Sequence, residues 1–496
     1  MGPHDAKAIP TVPVALHAPH DVVSYGEPAS FSHAEPGATT ATSLRADIAH
    51  WTGVLSAPVT NADGLYDNLT AVYQALMLAD LKRYEPERVA HEAPELLQDV
   101  FQMRLALRDQ IAGWERRGLM SVPVQKAMRA VFRASRYTAD MIGEVMIGFA
   151  RINEDDEPYK GFTGGAGYTL FAPPFANPRG LLTFKSGDVL LMRGLAHNSA
   201  AIARIGDVDS QFSHVGMVYV DDGGRPFIVE SLIETGATIS PLHKTLENGL
   251  VRAVLFRHHD EGLADRAARW IHQFVRDSLD GKRPRVHYDF QMRMDNQDEL
   301  FCSELVRYAY AEASKGALIL PTFMTQFDMQ NRDFLHRIGV EVDHAFAPGD
   351  IEMEPSFQVV AEWRDYRATW NLRIKDMVMD KLFEWMDAYD MRFRETFITR
   401  LIGWFGRVAS YLSPGAKRLI EDVIPQVPKN MTRRQIATVA MLHATAQPVF
   451  EMLRDIDQQE VQRTGRPLHP RVYREELERM RREGAGRLGY LRGRVH

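Results

Sequence analysis

An α+β fold is what the sequence predicts: a small, mainly antiparallel sheet flanked by N- and C-terminal α-helical regions. Three observations carry that expectation. Apolar residues recur at helical spacing from about residue 45 to 152, short strand-like runs bounded by turn residues begin after 180, and helical periodicity returns beyond 342. At 496 residues with 45% hydrophobic and 25% charged side chains, the composition is that of an ordinary soluble chain with room for several domains.

Residues 1–44 are rich in Pro, Ala, His, Ser and Thr without a sustained period, and are expected to form a disordered tail. The segment 45–152 follows as a helical region. Its stripes lie in NLTAVYQALMLADLKRY, PELLQDVFQMRLALRDQIAGWERRG and PVQKAMRAVFRASRYTADMIGEVMIGFARI, and Ser121 with Pro123 marks a helix start. Residues 153–180, with Gly164, Gly165 and Gly167, form a linker or loop. No Gly-Lys-Ser or Gly-Lys-Thr follows these glycines, so they are not a phosphate cradle.

Residues 181–342 carry the strands. GDVLLMRG reads as a strand, NSAAIARIG as a short helix, SHVGMVYV and PFIVESLI as a hairpin across DDGG, and TGATISPL and VRAVLFRH as further strands. DRAARWIHQFVRDSL is an amphipathic helix, and LFCSELVRYAYAEA is another, with Asn296 or Asp298 as its expected N-cap. From 343 to 496 a Pro-containing connector, HAFAPGDIEMEPSFQVVAEWRDYR, leads into helices. One of these carries the stripe Phe393, Phe397, Leu401, Trp404, Phe405, Val408 and Leu412.

The net charge of −6 gives no case for nucleic-acid binding, although residues 461–496 hold ten Arg against four Glu. That basic end and the aromatic stripe leave a membrane surface as a possible partner, with packed core favoured. The N-terminus lacks a basic region followed by an apolar run, and no window of about 18 uncharged apolar residues occurs, so a cytoplasmic location is expected. Met1-Gly2 resembles a myristoylation start, but Pro3 and Ala6 depart from that pattern. One cysteine excludes an intrachain disulfide framework.

That cysteine, Cys302, sits near a helix start, where free N–H groups and the helix dipole favour thiolate. Asp295, Asp298 and Glu299 oppose this, so a base must come from elsewhere. His214 is the candidate, because it opens a strand whose other residues read as buried. His258 and His259 are adjacent and diverge on a strand, while His197, His243, His272 and His287 lie in polar or helical surroundings. With no His-Glu-x-x-His or comparable ligand spacing, neither metal nor cofactor is expected.

Glu230 is the candidate to orient the imidazole, with Glu304 as its rival. A three-residue loop of Asp221, Asp222 and Gly223, with Gly223 left-handed, would pair Val220 with Gly224 and set His214 directly opposite Glu230.

In this order the residues resemble the circularly permuted NlpC-type, papain-like cysteine hydrolases of the YiiX-like branch. Gly187-Asp188, Arg193-Gly194, Ser213-His214, Glu230 and Cys302-Ser303-Glu304-Leu305 follow one another as in that family, over about residues 180–340. The resemblance implies Cys302 as nucleophile, His214 as base and Glu230 as orienting residue, with the Cys302 N–H as oxyanion donor. Tyr288 and Asp289 also match the family's texture, and Asp188, Arg193 and Ser199 are expected to shape loops around the cleft. The implied activity is hydrolysis of an amide or ester in a peptide or acyl substrate; acyl transfer at a membrane surface and a non-enzymatic helical scaffold are the alternatives.

Overall fold

The computed structural model describes residues 43–77, 83–149, 169–176 and 182–493, apart from positions 207, 248, 328 and 330 and the segment 396–429. The expected disordered tail, up to residue 42, and most of the loop at 153–180 lie outside the described residues. The same holds for the stripe Phe397 to Leu412. Its first member, Phe393, belongs to a short strand rather than a helix and is buried.

Among the described residues five helices open the fold: α1 (Leu44–Ser56), α2 (Ala62–Met77), α3 (Pro86–Asp109), α4 (Ile111–Arg116) and α5 (Val122–Gly148). Ser121 caps α5 in an extended conformation with Pro123 in the first turn, as the sequence indicates. Helix α5 is buried along most of its circumference, because α2, α3 and a later helix, α11 (Tyr366–Ala388), pack around it.

The main sheet has seven strands among the described residues, in the order β1-β9-β6-β2-β3-β4-β5, and every neighbouring pair is antiparallel. These are β1 (Thr169–Phe171), β2 (Val189–Gly194), β3 (His214–Val220), β4 (Pro226–Leu232), β5 (Gly236–Pro241), β6 (Leu250–His258) and β9 (Phe357–Arg364). Strand β9 corrects the reading of HAFAPGDIEMEPSFQVVAEWRDYR as a mere connector. Seven of its eight residues are buried, so it shows no polar–apolar alternation by which a half-exposed strand is recognised.

Between β2 and β3 lies α6 (His197–Arg204), and α7 (Leu242–Leu246) links β5 to β6. Helices α8 (Glu261–Leu279) and α9 (Cys302–Ala313) then pack on each other and on β3. Beyond them come α10 (Asp333–Ile338), with the two-residue strands β7 (Thr325–Gln326) and β8 (His344–Ala345) on either side. After β9, helices α11, α12 (Arg433–Thr464) and α13 (Pro470–Glu483) complete the chain with the small sheet β10 (Arg392–Phe393), β11 (Arg487–Leu488) and β12 (Leu491–Arg492). No helix of the described residues is long and apolar enough to cross a membrane.

The two faces of the sheet differ in kind. Arg193 on β2 and Arg252 on β6 are cross-strand partners, and both point toward α5 and α11: Arg193 pairs with Asp376 and Arg252 with Asp140. Met192 pairs with His214, and successive strand residues alternate sides, so His214 faces the opposite layer, where α9 lies. The sheet thus separates a buried charge network from the candidate site.

Candidate active site

Helix α9 begins at Cys302 itself, with Phe301 as an extended N-cap residue. The expected caps Asn296 and Asp298 are too early: the Asn296 side chain accepts the Asp298 N–H in a local turn instead. Two hydrogen bonds hold the residue before the cap extended, from Leu300 N–H to the His287 carbonyl (2.9 Å) and from Ser231 Oγ to the Leu300 carbonyl (2.5 Å). Cys302 therefore occupies the first helical position. Its N–H has no acceptor within the helix, and the thiol lies in the positive end of the helix dipole.

The hairpin register differs from the expected one. Val220 pairs with Pro226, Tyr219 with Phe227 and Met217 with Val229, and the turn is closed by Asp221–Arg225 with Gly224, not Gly223, left-handed at φ 76°. Continuing the register puts Gly216 opposite Glu230. His214 is displaced by two residues, and because two is the period of a strand it still shares a face with Glu230. The contact is made on the diagonal, with His214 Nε2 donating to Glu230 Oε2 at 2.7 Å.

Gly216 leaves the room for this diagonal. A Cβ there would stand 2.6 Å from Ile228 Cδ1 and 3.3 Å from Glu230 Cβ. Gly216→Ala is expected to push Glu230 away from the imidazole and lower kcat/KM by about tenfold, since displacements on the order of 1 Å in catalytic geometry are costly. Steady-state kinetics at constant pH checks it, and an unchanged rate would show that the glycine is not needed for the contact.

Electrostatics tie the three groups together. Burial would lower the His214 pKa, but hydrogen bonds to Cys302 and Glu230 and the charges of both overcome it and raise the value to about 10. Burial would raise the Cys302 thiol, yet the hydrogen bond and charge of His214, with smaller help from Ser303 and the Val215 N–H, bring it below its ordinary value. Each shift favours the thiolate–imidazolium pair. With Nε2 engaged by the carboxylate, Nδ1 is the nitrogen left for the thiol.

Glu230 itself is buried, and its second oxygen accepts from Thr245 Oγ1 of α7 at 3.3 Å. Thr245, Ser231 and the Val215 N–H had no signal in the sequence, because their roles depend on which strand and helix the fold brings alongside.

The rival carboxylate, Glu304, is turned elsewhere. Its Oε2 lies 3.5 Å from Arg307 Nε, and burial, reinforced by Asp289 and Asp295 against Arg307, lifts its pKa to about 8. Asp188 is held by Arg257 at 2.7 and 2.8 Å and by the Lys185 N–H. With Arg193 bound to Asp376 on the far side of the sheet, both residues support the scaffold. Asp289 accepts the backbone N–H groups of Gln291 and Arg293, which fixes the loop running up to α9.

Along the chain the histidine comes first, then the carboxylate, both on adjacent antiparallel strands, and last the cysteine at the head of the helix packed on them. That order makes the domain a circularly permuted member of the papain-like class. Residues 183–347 match the family described as permuted papain-like amidase enzymes, YaeF/YiiX, C92 family, and this stretch of the chain is a domain of that family. The match takes in His214, Glu230 and Cys302 but covers only about a third of the 496 residues, leaving out β1, β9 and the flanking helices. No curated protein and no solved structure matches the chain.

Proposed function

We propose that the protein is a thiol hydrolase that cleaves an amide or ester bond through an acyl-enzyme on Cys302. The observation that carries the reading is the linked set of Glu230, His214 and Cys302, with the imidazole held at 2.7 Å by the carboxylate and the thiol pKa lowered by the imidazolium. The amidase family of the matched domain supports the same chemistry.

In the first step the Cys302 thiolate forms a bond to the carbonyl carbon, and the carbonyl electron pair moves onto oxygen, where the Cys302 N–H stabilises it. The C–N or C–O bond then breaks as His214 gives its proton to the leaving group. In the second step His214 takes a proton from water, the resulting hydroxide adds to the thioester, and the thiolate departs. Glu230 keeps the imidazole oriented and stabilises its charged form throughout.

Membrane docking has weaker support than a soluble substrate. Four of the five arginines of α13 are engaged by carboxylates: Arg471 by Glu475, Arg474 by Asp380 and Glu384, Arg479 by Glu476 and Glu483, and Arg481 by Glu478. A basic face neutralised in this way offers little attraction to anionic lipid.

Labelling purified protein with an electrophilic acyl probe, wild type against His214→Ala, tests the proposal. Rapid modification of Cys302 that requires His214 is the expected result, and equal labelling of both proteins would overturn the role of the histidine. The pH profile gives a second test. The active pair is lost at acid pH as the thiolate takes up a proton, and at alkaline pH as the imidazolium loses its own near pH 10. Because the Glu230 charge raises the imidazolium pKa, Glu230→Gln is expected to move the alkaline limb of kcat/KM to lower pH. A limb that stays in place would remove Glu230 from its orienting role.

A further inference from the structure

We infer that the outer face of the small sheet β10-β12-β11 is a docking surface for an acidic helix of another protein. Arg392 of β10 and Arg487 of β11 are both cross-strand partners of Arg492 on β12, so three guanidinium groups stand in one row across the sheet. Paired residues of antiparallel strands share a face, and the next row takes the other one. That row, Phe393, Leu491 and Leu488, is turned inward: Phe393 and Leu491 are buried in the core shared with α11 and α12, and Leu488 packs against it. The small sheet is therefore amphipathic, with arginine on its outer side.

Like charges directly opposite each other destabilise a strand pair, and here the central residue meets one on each side. Protection of free edges explains charge on β10 and β11, but β12 lies between them and has no free edge. Only one end of the row is compensated within the chain, where Arg392 donates from Nη2 and Nε to Asp390 Oδ1 at 2.9 and 3.0 Å. Arg487 and Arg492 are exposed, as is Arg394, which follows Arg392 by one strand period. Among the described residues no carboxylate pairs with any of these three, and Glu395, next to Arg394, pairs instead with Arg337 at 3.1 Å.

Spacing selects the partner. Cβ atoms of cross-strand pairs lie about 4.5–5.5 Å apart, and side chains three or four residues apart on one face of an α-helix lie about 5–6 Å apart. Successive side chains on one side of an extended peptide are about 6.8 Å apart, which overruns the row. A helix with carboxylates at i, i+4 and i+8 thus meets Arg392, Arg492 and Arg487 in register, and each guanidinium can take a carboxylate by two parallel hydrogen bonds. The adjoining helix α13 exposes Glu475 and Glu483, so a narrow acidic stripe is favoured over a broad anionic plane.

Fluorescence anisotropy with two stapled helical peptides of equal charge tests the surface on the full chain. One carries Glu at i, i+4 and i+8, and the other has the same Glu residues spread around the helix. We expect the striped peptide to bind at least about fivefold more tightly at low salt, and its affinity to fall several-fold between about 50 and about 200 mM salt. Arg487→Gln/Arg492→Gln should weaken its binding about tenfold. Because that variant also relieves the repulsion in the row, its melting temperature should equal or exceed that of the wild type. Binding unchanged in the variant, or no binding of either peptide at low salt, would overturn the surface. Equal binding of the two peptides would overturn the helix as occupant. Vesicles containing phosphatidylglycerol form a further arm: arginine-dependent binding to these, without preference for the striped peptide, would give the face to lipid and overturn the proposal. If the double variant does not fold, the wild type decides: its melting temperature should rise with the Glu-striped peptide and not with a Lys-striped one, and an equal response to both would overturn the surface.

Discussion

Cys302→Ala is expected to lower amide or ester hydrolysis by at least about 10⁴-fold, leaving only what binding and the oxyanion donor supply. No other thiol exists in the chain to take its place. The fold should survive, since the residue is small, stands at the first position of α9 and is replaced by a good helix former. A melting temperature close to that of the wild type, together with lost turnover, is the expected pair of results. Retained turnover would sink the nucleophile assignment. His214→Ala should act differently: without the imidazolium, burial dominates the thiol and its pKa rises, so alkylation of Cys302 by iodoacetamide at neutral pH should slow by about 10²-fold as the thiolate fraction falls. Sulfur remains present in that variant, so slow labelling distinguishes an unactivated nucleophile from an absent one.

The parts of this site differ in how far the sequence reveals them. Cys302 and His214 stand out because a lone thiol and a histidine in an apolar strand demand explanation, and the strand–turn–strand pattern around Asp221–Arg225 makes their hairpin legible. The residue pattern points to Glu230 only through a loop of the wrong length. The register was off by two residues, and the strand period preserved the face while changing the contact from directly opposite to diagonal. An error of one residue would have sent the side chain to the far layer. Asn296 and Asp298 are good capping residues and so suggest too early a start for α9, whereas tertiary hydrogen bonds to His287 and Ser231 decide where the helix begins. Strand β9 and the buried arginines of α5 were hidden for a related reason. Strand β9 is placed by pairing with β6, and Arg136 of α5 by Glu352, both distant in sequence, and neither polar alternation nor local spacing reports this.

The buried ion pairs between α5 and the sheet carry the largest expected effect on stability. Asp140 of α5 is fully buried and accepts from Arg252 of β6 at 2.5 Å and from Arg364 of β9 at 2.8 Å. It thus links the N-terminal helices to two adjacent central strands. Asp140→Ala leaves two guanidinium groups in the interior with less opposing charge than they need, and breaking a buried ion pair in this way costs about 3–5 kcal/mol. Glu362 and Glu352 already serve Arg364, Arg104 and Arg136, so they cannot fully take over. We expect a melting temperature lower by roughly 6–20 °C if a unit of about 150–250 residues unfolds together. Glu475→Ala, which removes an exposed partner of Arg471, should leave it nearly unchanged. The comparison matters for function as well, because α5 braces the sheet from the side opposite His214, and loosening β6 against β2 would disturb the strand that positions the histidine. Thermal unfolding of the two variants, followed by ester hydrolysis well below the transition, checks both effects. A shift under 1 °C in Asp140→Ala would show that the buried network is not what holds the helical region to the sheet.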